Sequence, residues 1–504
     1  MKYDIIIRGG TVLDGTGNPG YRADIGIKGR KIAAIATRLK GRGAKTIDAT
    51  RRCVCPGFIE IHSHCDQEIL DAPEAPNYIR QGVTTVVGGN CGFHKFPLRK
   101  LFGGLSKLRR TVNFGCYAGH GTIRKQVLGL ATRRPSPTEM KRMCALLERE
   151  MRAGAMGLSS GLIYIPGRYS KSPELVRLAA SAAKHGGLYA SHIRSEGANI
   201  MAAVKEAILI GRKNRMPVEV SHVKLSGKKV WGKTSAVAAL VEEARARGLD
   251  VTLDQYPYTA SSTSLAILLP GWAMVGGKTA LRERVQDPAL RRKIRADMSH
   301  TRYSEGERLR NTYIARYRPN PKIEGKNLAE ILRMFGKKPT ATNGAQLVID
   351  LETEGDASAV FFTMNEQDVE SFMRLPYVMV GGDSRIQTKG RGVPHPRSYG
   401  TFARVIARYV REKKTIRLED AIRKMTSLPA QTLRLNGRGL LKQGMYADMA
   451  VFDYARIADK ATFQKPHQYA AGIPFVLVNG EPVVEKGRFT RARPGMILYG
   501  PGKV

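Results

Sequence analysis

The stretch Phe58-Ile59-Glu60-Ile61-His62-Ser63-His64-Cys65-Asp66, entered through Pro56-Gly57, decides how the rest of the chain is read. Its apolar start predicts a buried strand. Two histidines one residue apart at the end of that strand project from the same side of a pleat, where both imidazoles can reach one ion. A lone His-x-His is as often a polar strand end as a metal site, so its meaning depends on context. That context is a series of similar runs. Strands are predicted at 58–64, 84–90, 112–118, 154–160, 187–192, 218–224, 250–256, 359–364 and 377–383, with helical stretches between them. Strands alternating with helices predict parallel βα units, hence an α/β fold: a (β/α)8 TIM-like barrel with its active residues where strands deliver the chain into loops. Nine candidates for eight places leave one strand outside the barrel.

Outside this region the pattern changes. Short alternating runs at 3–8, 23–28 and 31–36 are separated by Gly-containing turns, and runs at 447–452, 475–479 and 482–486 answer them from the other end of the chain. They predict a small antiparallel sheet, and a small β-sandwich domain assembled from both termini. The expected division is 1–55 and 436–504 for the sandwich and 56–435 for the catalytic barrel. Residues 271–346 form a long basic stretch of helical segments, entered after Pro270 and carrying Pro319, Pro321 and Pro339; a stretch of this length between strands predicts an insertion acting as a lid.

Composition bounds the function. With 504 residues, 42% hydrophobic and 25% charged, the chain has ample material for a core and is not a disordered polymer. No run of about 18 apolar residues suggests a membrane span, and the start lacks the marks of a signal peptide, so a cytoplasmic protein without a membrane partner is expected. Six cysteines in a chain this long make no disulfide framework, and Cys53-x-Cys55 reads as structural. Lys and Arg number 83 against 43 acidic residues, a formal charge of +40. These cations are scattered, as at 107–110, 133–134, 291–293 and 411–414, without a nucleic-acid motif or aromatic interleaving. A solvated basic exterior with no specific nucleic-acid partner follows, attracting polyanions nonspecifically and acidic substrates secondarily.

The other strand ends carry the chemistry. The run from Thr84 to Val87 leads into Gly88-Gly89-Asn90-Cys91-Gly92, which leaves Cys91 at the barrel mouth, either as a thiolate ligand or as a small buried residue. Tyr189-Ala190-Ser191-His192 and Glu219-Val220-Ser221-His222 each end a short run in Ser-His, about one βα unit apart, each followed closely by a cation, Arg194 or Lys224. Two such histidines, added to His62, His64 and Cys91, predict a shared metal site. Asp383, after Val378-Met379-Val380-Gly381-Gly382, adds a carboxylate at another strand end, a position where a helix cap is also common.

This set resembles the metal-dependent amidohydrolase superfamily, and within it the D-aminoacylase family, the N-acyl-D-amino-acid deacylases. The resemblance covers nearly the whole chain and includes Gly9-Gly10-Thr11-Val12-Leu13-Asp14-Gly15-Thr16-Gly17, Pro56-Gly57-Phe58-Ile59 with His62-Ser63-His64, Gly89-Asn90-Cys91-Gly92, Ser221-His222-Val223-Lys224, Gly382-Asp383, His395-Pro396-Arg397 and residues 444–448. It implies a zinc enzyme that hydrolyses the amide of an N-acyl-D-amino acid, a small-molecule substrate, to a carboxylate and a free D-amino acid. By resemblance Cys91, His192 and His222 hold one tight zinc ion, His62, His64 and Asp383 line a second, weaker position, and Asp383 is the catalytic general base. Matching to the family puts Lys224, Tyr256, Ser262 and Tyr164 near the substrate carboxylate. Arg194 is a further cation for substrate binding, or half of a surface ion pair. The 154–160 run offers no lysine, whereas cyclic-amide hydrolases of the dihydropyrimidinase, hydantoinase and dihydroorotase type carry a carboxylated lysine there. Those enzymes are the alternative; a catalytically silent polyanion-binding scaffold is the third reading. A monomer or small homo-oligomer is expected.

Overall fold

A computed structural model describes residues 2–302 and 307–504. Met1 of the expected first segment and positions 303–306 of the expected insertion lie outside the described residues.

Eight parallel strands carry the centre of the molecule: β1 (Phe58–Glu60), β2 (Val83–Gly88), β3 (Asn113–Cys116), β4 (Gly157–Gly161), β5 (Leu188–His192), β6 (Val218–Val220), β7 (Val251–Gln255) and β8 (Val378–Val380). β1, β2 and β3 pair in that order. β8, β7, β6, β5 and β4 form a second run that ends on Ala118–Gly119, the continuation of β3 past Tyr117. The margins of the two runs meet: Tyr117 N donates to Gly88 O at 3.0 Å, and on the other side Asp383 N donates to His62 O and His64 N to Ser384 O, both at 2.8 Å. All eight are buried along their length, as strands covered on both faces must be. Helices such as Pro137–Ala153, Ser172–Ala183 and Ile200–Asn214 connect them. The first of these opens on a capping box between Ser136 and Glu139, the sequence signature that predicts a helix start.

The ninth candidate, 359–364, is the odd one. Its strand, Ser358–Phe361, pairs antiparallel with Ser261–Ser264 and Thr312–Arg316 in a separate three-stranded sheet. That sheet shares a hydrophobic cluster with the helices around it, running from Leu265 and Leu268 through Leu281, Ile294, Leu332 and Val348 to Phe361. The expected insertion at 271–346 therefore sits inside a larger unit, because the strands that bracket it belong to its sheet and share its core.

The termini share one nine-stranded sheet. Its two halves meet where Cys53–Pro56 pairs antiparallel with Met449–Phe452. The sheet is mixed rather than antiparallel: Lys2–Val12 runs parallel to both Arg42–Asp48 and Cys53–Pro56, two strands that the alternation pattern did not reveal. In the run Ile5-Ile6-Ile7 alternate side chains face opposite ways, with Ile5 and Ile7 in a cluster with Val54, Met449, Val451 and Leu477, and Ile6 in one with Tyr3 and Leu39. A buried polar joint fastens this sheet to the parallel strands. Asp448 is ion-paired with Arg438, accepts Asn479 N at 2.8 Å and Asn113 Nδ2 of β3 at 3.2 Å, and both charged side chains are less than a tenth exposed.

Asp448→Asn should destabilise the protein by about 3–5 kcal/mol, since it leaves the Arg438 guanidinium buried without its counter-charge. A urea-unfolding midpoint matching the wild type would show that the joint contributes nothing.

Candidate metal centre

The predicted donors converge at one end of the parallel strands. His62 and His64 lie just past β1, which stops at Glu60, so a turn rather than a pleat presents them; their ring centroids are 5.8 Å apart. Cys91 follows β2 after Gly89 and Asn90, His192 closes β5, His222 follows β6 and Asp383 follows β8. Donor atoms of His62, His64 and Cys91, of Cys91, His192 and His222, and of His62, His222 and Asp383 lie within 4.8 Å of one another in each group. Cys91 Sγ is at the centre, 3.3 Å from His62 Nε2, 3.4 Å from His222 Nε2 and 3.6 Å from His192 Nδ1. Asp383 Oδ1 lies 3.2 Å from His64 Nε2 and 3.7 Å from His62 Nε2.

Three of these donors occupy backbone that L-residues rarely adopt: φ is +54° at Cys91, +37° at His222 and +46° at Asp383. Each such residue costs of order 1–3 kcal/mol and persists only where its surroundings hold it. The holders are buried polar groups. Asn90 Nδ2 donates to Val87 O, Ser63 O and Ile61 O at 3.0, 3.2 and 3.4 Å, tying the end of β1 to the turn that carries Cys91. Glu60 accepts His62 N at 3.1 Å and Gly382 N at 2.8 Å, joining the ends of β1 and β8. A Cβ at Gly382 would collide with Glu60 Oε2, so that approach requires glycine.

Electrostatics sort the carboxylates. Asp254, in β7, faces His62 Nδ1 at 3.2 Å, with Glu219 of β6 beside it. Burial and the Asp254 charge push the Glu219 carboxyl well up, while burial opposes the charge of Asp254 but His62 and Glu219 pull its carboxyl down. Burial opposes the charge of Asp383 as well, yet Arg397, helped by His64, His222 and His62, holds it well below the usual carboxylate range. The Arg397 guanidinium is buried, contacts Asp383 Oδ2 at 2.9 Å and stacks 4.5 Å from the Tyr256 ring. Burial also disfavours the charge of Glu196, but Lys224, His192 and His222 pull its carboxyl down. Burial pushes the Cys91 thiol well up when nothing cationic binds it.

Of the residues expected near substrate, Lys224 Nζ lies 2.9 Å from His222 Nδ1 and 5.5 Å from the Tyr256 ring centroid. Among the described residues the buried Tyr256 hydroxyl has no hydrogen-bond partner. The Tyr164 ring packs 4.8 Å from His192 and its hydroxyl meets Thr263 Oγ1 at 3.0 Å, while Ser262 is linked through its carbonyl to Arg397 Nη2 at 3.1 Å. Arg194 is the exception. Glu206 holds it at 2.9 and 3.0 Å from a neighbouring helix, because a guanidinium fork finds a carboxylate more readily than open solvent. Asp254, Glu196 and Arg397 were not singled out from sequence. The available signals were a carboxylate near the end of a predicted strand, a glutamate four residues after His192, and an arginine inside the His395-Pro396-Arg397 motif.

The separations suit one ion. Zinc bonds of about 2.0–2.3 Å to nitrogen and sulfur set tetrahedral ligand edges of about 3.3–3.6 Å, and the sulfur-to-nitrogen distances at Cys91 fall in that range. A parallel α/β protein with this donor set at the loop end of its strands is built as a metal-dependent hydrolase. The amidohydrolase family profile matches residues 45–312 and 374–484. A D-aminoacylase of Alcaligenes xylosoxydans xylosoxydans is 35% identical over 99% of this chain and 98% of its own. An N-acyl-D-glutamate deacylase of the same organism is 36% identical over 99% and 96%. The crystal structure of N-acyl-D-glutamate deacylase from Bordetella bronchiseptica, complexed with zinc and a phosphonate inhibitor that mimics the tetrahedral intermediate, aligns with a TM-score of 0.85 at 33% identity, covering 99% of this chain and all of that one. The chain belongs to the D-aminoacylase, or N-acyl-D-amino-acid deacylase, family of the amidohydrolases.

Arg194→Ala should leave KM within about threefold, as a partly exposed ion pair contributes of order 0–1 kcal/mol. Arg397→Met should lower kcat/KM by about 100-fold or more, because Asp383 loses the cation that fixes its charge and orientation. Equal effects of the two substitutions would remove Arg397 from the active site.

Proposed function

We propose that the protein is a zinc-dependent hydrolase of N-acyl-D-amino acids, releasing a carboxylate and the free D-amino acid. The observation that carries this reading is the convergence of Cys91, His192 and His222 beside His62, His64 and Asp383. In it Cys91, His192 and His222 hold one tight zinc ion, and His62, His64 and Asp383 line a second, weaker position. Zinc held there supplies Lewis acidity toward the scissile carbonyl and makes water nucleophilic near neutral pH.

The chain's own residues do the rest. Asp383, held ionised by Arg397 at Oδ2, turns Oδ1 toward His64 and His62, where it is placed to take a proton from water and return it to the departing amine nitrogen. Lys224 and Tyr256, with Ser262 and Tyr164, receive the substrate carboxylate; the buried hydroxyl of Tyr256, unpartnered among the described residues, supports this role. Cyclic-amide hydrolysis is disfavoured at β4, where Ser159 and Ser160 stand and no lysine is available.

The architecture proposed around this site is a closed (β/α)8 barrel in 56–435, a lid containing 271–346 with the three-stranded sheet at its base, and a small β-sandwich from 1–55 and 436–504. Support comes from the hydrogen bonds that link β8 back to β1 and from the strands shared by the termini. The described residues contain no helix long and apolar enough to cross a membrane. A cytoplasmic enzyme, a monomer or small homo-oligomer with no specific nucleic-acid partner, completes the proposal, and its six free cysteines suit a reducing compartment.

Assayed against N-acetyl-D- and N-acetyl-L-amino acids, hydantoin and dihydrouracil, the zinc-loaded protein should release D-amino acids with kcat/KM about 100-fold above the L series. Chelation should abolish this and zinc should restore it; ring opening alone would transfer the protein to the cyclic-amide enzymes. Asp383→Asn should retain the tight zinc while turnover falls by about 10³-fold. An unchanged rate would take the proton-transfer role away from Asp383.

A further inference from the structure

We propose that Glu196 is a positioning residue that sets the metal-binding form of His222 and His192 and gives the Lys224 ammonium an acceptor other than the imidazole beside it. The inference rests on the zinc reading above. An imidazole ligates through the nitrogen that carries no hydrogen, and the hydrogen bond made by its other nitrogen decides which one that is. His222 presents Nε2 to Cys91 Sγ at 3.4 Å, and to ligate through that nitrogen it needs its hydrogen on Nδ1 and an acceptor there.

Two groups face that Nδ1. Lys224 Nζ is 2.9 Å away and Glu196 Oε1 is 3.2 Å away. An ammonium has three donors and no acceptor. Left alone with His222, Lys224 would draw the lone pair to Nδ1 and put the hydrogen on Nε2, the nitrogen aimed at the metal position. Glu196 reverses this outcome. Its Oε1, 3.2 Å from Nδ1, is placed to accept a hydrogen carried there, and it also forms an ion pair with Lys224, which gives the ammonium another place to donate. The same oxygen lies 3.6 Å from His192 Nε2, a buried nitrogen with no hydrogen-bond partner among the described residues, while His192 turns Nδ1 toward Cys91. One carboxylate oxygen therefore stands behind both imidazoles of the tight site and beside the lysine proposed to read the substrate carboxylate.

The backbone is arranged to put it there. Glu196 follows β5 by four residues, outside any helix or strand, and its carbonyl accepts Ser226 N at 2.8 Å, binding its loop to the one that carries Lys224. Nothing in a purely structural role requires this carboxylate to face two metal-ligating rings.

The test compares wild type, Glu196→Gln and Glu196→Asp for zinc retention in a chelator titration read as metal content, and for KM toward an N-acetyl-D-amino acid. Thermal unfolding of the zinc-free proteins serves as the fold control. Glu196→Gln should hold zinc about 10–100-fold more weakly and show a raised KM, and Glu196→Asp, which keeps the charge, should recover part of both. A folded Glu196→Gln variant that retains zinc like the wild type would overturn the inference, as would equal losses in the Gln and Asp variants. A wild-type chain that takes up no zinc would overturn the reading of the site and this inference with it. Zinc retention is measured without substrate, so the comparison does not depend on which amide the enzyme cleaves.

Discussion

Polar atoms buried against one another are costly unless each has a partner, and the centre of this protein packs a thiol, four imidazoles and a carboxylate into one cluster. Much of the surrounding structure answers that constraint. Asp254 backs His62, Glu196 backs His222 and lies near His192, and Arg397 holds Asp383. Each of these partners is itself secured: Asp254 beside Glu219, Glu196 by Lys224, and Arg397 by the Tyr256 ring and the Ser262 carbonyl. The side chains of the cluster are thus positioned by partners that the fold itself supplies.

The same constraint explains where the backbone departs from ordinary geometry. Parallel strands end abruptly, and a side chain that must turn inward immediately past a strand needs a sharp change of direction. Cys91, His222 and Asp383 make that change in the left-handed region. The strain is localised at the donors and is sustained by Asn90 and Glu60, which bind neighbouring strand ends together. The stability of the strands and the geometry of the site are therefore coupled through a few buried polar side chains.

The three-stranded sheet and its helices reach the site through few contacts. Tyr164 touches Thr263, and Arg397 touches Ser262, both on the first strand of that sheet. A unit with its own hydrophobic cluster, fastened beside the proposed carboxylate subsite, is well placed to vary with substrate while the metal donors stay on the parallel strands. The terminal sheet is different: it is joined to β3 by the buried Asp448 and Arg438 pair, and it contributes no donor to the cluster.

By itself the sequence determined the parallel α/β pattern, the shared sheet of the termini and the six polar residues that converge at one end of the strands. Apolar runs buried on both faces, and the polar residues that end them, are local signals legible one segment at a time. It left open which apolar run stood apart. Ser358–Phe361 has the composition of a parallel strand, and only its antiparallel partners reveal its place. It also left open the fate of each cation. Arg194 and Lys224 look alike beside their histidines, yet one is taken by Glu206 and the other reaches the site, because that depends on which carboxylate the fold brings near. Glu196, Asp254 and Arg397 gain meaning only through neighbours distant in the chain. Pairings of that kind are decided by the tertiary structure, since buried charge is tolerable only where the fold supplies its partner.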